Sequence, residues 1–139
     1  MSASSRRGLQ IATGVLGLVP LITGAIGLLG LADPLYASAG MLPLPVLDSN
    51  LRFFSGVWLG LGIAVFWMLP RIERETALFR IFWGAIFLGG IGRVLSLLFA
   101  GVPPSPFLGF TALELLGAPL FVLWQYRVAL AARERPAVA

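Results

Sequence analysis

Residues 77–100 read ALFRIFWGAIFLGGIGRVLSLLFA, a run in which only Arg80, near one end, and Arg93, well inside, carry charge. A helix needs about 20 largely apolar residues to cross a hydrocarbon layer about 30 Å thick, and this stretch meets that length. Working outward, three more such runs appear. Residues 9–31 contain no charge and end at Asp33-Pro34, residues 50–69 stop at Pro70, and residues 106–126 carry one charge at depth, Glu114. Backbone groups left unpaired in lipid are too costly to persist, so the runs are helices. Ser105 and Pro106 read as the cap and first residue of the fourth. The expected fold is all-α: one domain over 1–139, a compact bundle of four transmembrane helices at about 9–31, 50–69, 77–100 and 106–126.

Composition excludes as much as it implies. The 139 residues are 58% hydrophobic and 12% charged, against roughly 25% charged in a soluble domain, so a water-soluble globule and a nucleic-acid binder are both excluded. The chain has no Cys, no His and no Lys. Structural zinc, thiol redox chemistry and His-ligated haem lose their ligands, and a Schiff-base cofactor loses its amine. No metal or cofactor is expected, and the chain is read as non-enzymatic. Asp48 and Glu114 are an acid–base pair in principle, but nothing in their spacing enforces it.

Arginine placement predicts orientation. Arg6 and Arg7 precede the first run, Arg71 and Arg74 lie in the 70–76 turn with Arg80 just beyond, and Arg127, Arg133 and Arg135 follow the fourth. The opposite loops, 32–49 and 101–105, have none. Cytoplasmic loops carry the excess of basic residues, so both termini are expected inside, in a bacterial inner membrane, with Arg52 the one countervailing charge. The Ala37-Ser38-Ala39 triplet raises cleavage of a signal peptide, yet the first apolar run is far longer than a signal core of about 7 to 15 residues, and the span is expected to be retained. Glu73 and Glu75 read as a solvated turn with the neighbouring arginines. Trp58, Trp67, Trp83 and Trp124, with Tyr36 and Tyr126, read as an interfacial belt or lipid-facing residues.

Helices in lipid associate through small residues and polar contacts. Gly56, Gly60 and Ala64 recur at a spacing that puts them on one face, Gly89 and Gly92 mark a face of the third run, and Gly17, Gly24 and Gly27 lie on the first. Arg93 and Glu114 sit at matching depths, about 10 to 12 Å from the outer ends of their runs at about 1.5 Å per residue. A charge at mid-membrane costs roughly 2.5 to 3.5 kcal/mol, so the two are expected to face inward and pair. Thr111, Ala118, Phe121 and Gln125 lie on the stripe of Glu114 and Ser96 on the face of Arg93. Asn50 and Arg52 stand at the outer end of the second run. Together Asn50, Arg52, Arg93, Ser96, Thr111 and Glu114 form a candidate pocket for a membrane lipid or other amphiphile.

Blander readings stand beside it: a structural ion pair, a headgroup anchor at Arg52, or a capping box at Thr111-x-x-Glu114. An accessory subunit docking its glycine faces on a protein partner, a homo-oligomer, and a small proton-coupled transporter using Glu114 are the competing functions.

The stretches Asn50-Leu51-Arg52-Phe53-Phe54-Ser55-Gly56, Gly89-Gly90-Ile91-Gly92-Arg93-Val94-Leu95-Ser96 and Ala112-Leu113-Glu114-Leu115 resemble the bacterial membrane-protein family known as domain of unknown function 4345. The likeness covers about residues 50–126. It implies a small four-helix membrane bundle, with no established activity, cofactor or catalytic residue.

Overall fold

A chain this apolar satisfies its backbone by coiling, and the computed structural model, which describes residues 3–38, 40 and 44–134, is all helix and turn among those residues. Helix α1 spans Ala3–Gly27, the short α2 Pro34–Ala37, α3 Pro45–Met68, α4 Thr76–Phe99, α5 Ser105–Ala112 and α6 Ala118–Arg133. A π-helical segment, Leu113–Gly117, joins α5 to α6 without a break, and single 3-10 turns occupy Gly30–Ala32 and Leu69–Arg71. Four stretches are long and apolar enough to cross a membrane: Ser4–Gly27, Pro45–Arg71, Thr76–Phe99 and Ser105–Arg133.

The helix ends depart from the apolar runs for identifiable reasons. α1 begins at Ala3, through Arg6 and Arg7, and α6 continues to Arg133. Charge marks where hydrocarbon stops, whereas a helix carries its internal hydrogen bonding on into water. α1 also ends early, at Gly27. α3 starts five residues ahead of Asn50, with Pro45 in its first turn, where a missing N–H costs nothing. In α5 the cap is Pro104, one residue before the expected Ser105, and no side chain bonds the helix start. A helix that begins at Ser105 also removes the capping-box reading of Thr111-x-x-Glu114. Ala39 and Arg135, used above for the cleavage triplet and the orientation, lie outside the described residues.

Contacts divide the chain into two units, residues 11–70 and residues 1–10 with 71–139. In the first, α1 and α3 run antiparallel and touch through glycine. A Cβ on Gly24 would come within 2.6 Å of the Leu59 backbone nitrogen, and one on Gly62 within 2.7 Å of the Leu21 nitrogen. Gly17 meets Val65, and Gly27 meets Ser55. Each step of three or four residues along α1 is matched by a step of three or four back along α3, so the seam is continuous and close to backbone on backbone. Trp58 Nε1 donates to Thr23 Oγ1 at 2.9 Å, and Thr23 Oγ1 donates to Val19 O at 2.6 Å.

The second unit is built from side chains. Phe79, Phe82 and Trp83 of α4 are buried together with Ala118, Val128 and Ala129 of α6, Ile72 and Leu9. Trp83 stacks on Phe121 with ring centroids 4.2 Å apart, a favoured aromatic geometry. Trp83, expected at an interface or in lipid, is therefore a core residue at 2% exposure. Trp67 is exposed, but Trp124 donates through Nε1 to Ser5 Oγ at 3.1 Å. Glu73 also departs from the solvated reading: Arg6 Nε donates to its Oε2 at 2.7 Å, and its side chain is only 16% exposed. Burial raises the affinity of Glu73 for a proton, but the Arg6 hydrogen bond, its own backbone N–H and the charges of Arg6 and Arg74 more than offset that, so its pKa lies below the ordinary 4.5.

The glycine pattern needs one correction. A Cβ on Gly60, Gly89 or Gly92 would meet nothing within 4 Å, and one on Gly56 only Leu28 at 3.8 Å. Close approach falls on Gly62 in α3 and Gly90 in α4 instead. Four-residue spacing identifies faces of a helix but not which of them is covered.

Candidate functional site

Arg93 and Glu114 do meet. Arg93 lies on α4, and Glu114 is the second residue of the π segment. Arg93 Nε donates a bifurcated hydrogen bond to both carboxylate oxygens, 3.0 Å to Oε1 and 2.8 Å to Oε2. The glutamate is well enclosed, its side chain 14% exposed, and the arginine less so at 40%. The Arg93 guanidinium carbon sits 5.6 Å from the centre of the Phe107 ring, within cation–π range. Gly90 lets α4 come this near: a Cβ there would lie 3.0 Å from Glu114 Cβ and from Leu115.

The π segment that carries Glu114 has a local cause. Pro119 follows it, and in a regular helix the proline ring would collide with the carbonyl of Leu115 and offer it no N–H. Widening the preceding turn relieves both conflicts. Single-turn π segments often accompany functional sites. Thr111, on the turn before, is buried and donates from Oγ1 to Phe107 O at 2.9 Å, which ties down the stretch holding the ring under Arg93. The fourth span is thus not the uninterrupted helix its apolar run implied, although Thr111, Ala118 and Gln125 on the predicted stripe are all buried.

Two nitrogens of the Arg93 guanidinium remain. Among the described residues its terminal NH1 and NH2 groups make no hydrogen bond, so four of its five N–H donors are available beside a carboxylate that already balances its charge. The site can accept an oxyanion or a polar acceptor without further desolvation of the glutamate.

The remaining predicted residues are placed otherwise. Ser96 is exposed on α4 with no side-chain hydrogen bond to the pair, and Asn50 is exposed at the start of α3. Arg52, expected in the pocket or among headgroups, closes the end of α1 within residues 11–70. Its NH1 donates to Leu28 O at 2.6 Å, its NH2 to Leu29 O at 2.9 Å, and its Nε to Asp48 Oδ2 at 2.7 Å. Asp48 Oδ1 in turn accepts from the Leu31 N–H at 2.9 Å. Arginine on the last carbonyls of a helix satisfies acceptors that have no partner within the helix. Gly30 completes the clasp. Its φ of +64° suits glycine, and a Cβ there would run into the Asp48 carboxylate.

Sequence reasoning missed Phe107 and Gly90 as participants, and Asp48 as the partner of Arg52. The four-residue spacing of Asp48 and Arg52 was a readable signal for a helical ion pair, and Pro119 was one for a distorted turn. Nothing local announces that carbonyls 23 and 24 residues away need the arginine. Gln125, on the stripe of Glu114, is fully buried; its Nε2 donates to Ile72 O and Thr76 Oγ1, both at 3.0 Å.

The family profile described as domain of unknown function 4345 matches residues 8–125, most of the chain and every span. The chain belongs to domain of unknown function 4345. This match extends the earlier resemblance through the first helix, and it carries no activity, ligand or partner with it. No curated protein and no solved structure matches. For this member of domain of unknown function 4345, function has to be argued from the site.

Proposed function

We propose that this protein is a non-enzymatic membrane protein that binds a lipid or another amphiphile through the free end of the Arg93 guanidinium, with Glu114 holding the arginine in place. The observation that carries the reading is the division of labour on one side chain: Nε is committed to Glu114, while the terminal nitrogens, in a segment long and apolar enough to cross a membrane, have no acceptor among the described residues. Unsatisfied donors in lipid are costly, and a phosphate or carboxylate headgroup offers the planar pair of acceptors a guanidinium prefers. The arginine distribution favours an inner-membrane topology with both termini cytoplasmic, which puts this site in the outer half.

The test separates binding from scaffolding. Either Arg93→Gln or Glu114→Gln alone is expected to destabilise the protein by about 1 to 3 kcal/mol, below the roughly 3 to 5 kcal/mol typical of a fully buried pair because Arg93 is partly exposed. The double variant is expected to recover much of that loss, and to purify folded with one fewer bound lipid than the wild type in mass spectra of gently solubilised protein. A folded double variant that carries as many bound lipids as the wild type would overturn the reading.

A second reading has its own observation. Gly60, Gly89 and Gly92 present small residues with open space above them, which suits close approach of a partner helix. Under that reading the protein is an accessory subunit, and leucine at these positions would release it from a complex while leaving the copurifying lipid unchanged.

A further inference from the structure

At the arginine-rich end of residues 1–10 with 71–139, α4 and α6 leave an open groove of about 540 Å³ between them, within the usual size of ligand pockets. Gly84 and Phe87 of α4 face Pro119, Val122 and Leu123 of α6, and Arg80 stands at one end. Leu123 also lines a second hollow of about 310 Å³, shared with Leu120 and Trp124, whose basic residue is Arg127. Leu123 thus lines both hollows, and each has one arginine. Arg80 and Arg127 are exposed and make no ion pair or hydrogen bond among the described residues, and the carboxylates of Glu73 and Glu75, in the turn before α4, are taken elsewhere. Those two glutamates are engaged by Arg6 and Arg71.

We infer that this face holds one anionic phospholipid, its two acyl chains on either side of Leu123 and its phosphate on Arg80 and Arg127. The occupant follows from charge and setting. A hydrocarbon groove on a helix pair that lies in acyl chains discriminates little by itself, because lipid tails are as apolar as leucine. Selectivity must come from the headgroup, where an unpaired guanidinium matches a phosphate bidentately and basic residues near an anionic leaflet gain about 1 kcal/mol each. The site is separate from Arg93 and does not depend on what Arg93 binds.

The measurement is native mass spectrometry of the full chain released from a phosphatidylcholine bilayer holding a minority of phosphatidylglycerol. The wild type is expected to retain phosphatidylglycerol above its share of the bilayer, and Arg80→Gln to cut that enrichment about fivefold. Gly84→Leu leaves every charge in place, and since a Cβ at Gly84 meets nothing within 4 Å it should fold and fill the groove, lowering retention as well. Arg133→Gln removes a charge at the same end from a residue that lines neither hollow, and should lower retention less than Arg80→Gln does. The inference fails if Arg133→Gln acts as strongly as Arg80→Gln, which would mean diffuse attraction to the leaflet. It fails too if Gly84→Leu has no effect, or if the wild type shows no enrichment. Repeating the series in the Arg93→Gln, Glu114→Gln double variant removes the other site, so that the two readings stand or fall separately.

Discussion

Residues 11–70 and the unit made of residues 1–10 with 71–139 face the same difficulty, joining helices whose surroundings are as apolar as their own surfaces, and they meet it with different groups. In the first, glycines on α1 and α3 bring main chain against main chain, and one polar clasp, Asp48 with Arg52, finishes the end of α1. In the second, aromatic rings fill the interior, and polar groups at depth, Arg93 with Glu114 and Gln125 with Ile72 and Thr76, cross between elements. A seam of glycine leaves no room for a ligand. The side-chain unit, by contrast, leaves donors and grooves over, and both proposed lipid sites fall there.

Substitutions can break or sharpen this contrast. The largest expected effect is at the seam. Gly62→Val places a side chain against the Leu21 main chain, which cannot shift as a flexible side-chain end can, and should cost about 3 kcal/mol or more, at the upper edge of overpacking losses. Gly89→Val, over open space, should change stability by less than about 1 kcal/mol. Unfolding titrations from mild detergent into a denaturing one would compare them, and equal losses would erase the distinction between the units.

Next is the clasp. Gly30→Ala forces a residue with a Cβ into a left-handed conformation, at roughly 1 to 2 kcal/mol, and pushes that Cβ into the Asp48 carboxylate. Arg52→Gln in the same assay should cost less than Gly30→Ala, because Arg52 is exposed and water can reach the carbonyls it leaves.

The smallest effect belongs to the Arg6–Glu73 pair in the other unit. Because the folded Glu73 carboxyl holds its proton less tightly than an unfolded one, its contribution is present above the ordinary value near 4.5 and fades as pH falls below it through the lowered folded value. Arg6→Gln should reduce stability by up to about 1 kcal/mol at neutral pH and flatten the loss on acidification below pH 4.5. An unchanged acid limb would mean that Arg6 contributes nothing to Glu73.

The pattern of legibility follows the same line. The four spans could be read because each is a linear property, about 20 largely apolar residues with at most two charges among them. Arg93 and Glu114 could be paired on paper because their depths along two neighbouring spans agree and an isolated charge there is expensive. The covered glycines could not: Gly60 and Gly62, or Gly89 and Gly90, differ by a fraction of a turn, and the choice rests on how each helix is rotated about its axis. The carbonyl bonds of Arg52 were not legible for a related reason, since its partners are groups that every residue carries and no sequence advertises.

The order of residues by itself determined that the chain is helical, where its spans fall, which side-chain types it lacks and which two charges must answer each other, because hydropathy, length and charge act along the chain. Tertiary structure alone decided that Arg52 closes a helix end, that Trp83 is core, that a π turn ahead of Pro119 presents Glu114 to one nitrogen of Arg93, and that two others stay available. Those outcomes depend on helix rotation and backbone approach, which are settled by packing among distant segments and leave no mark on any one of them.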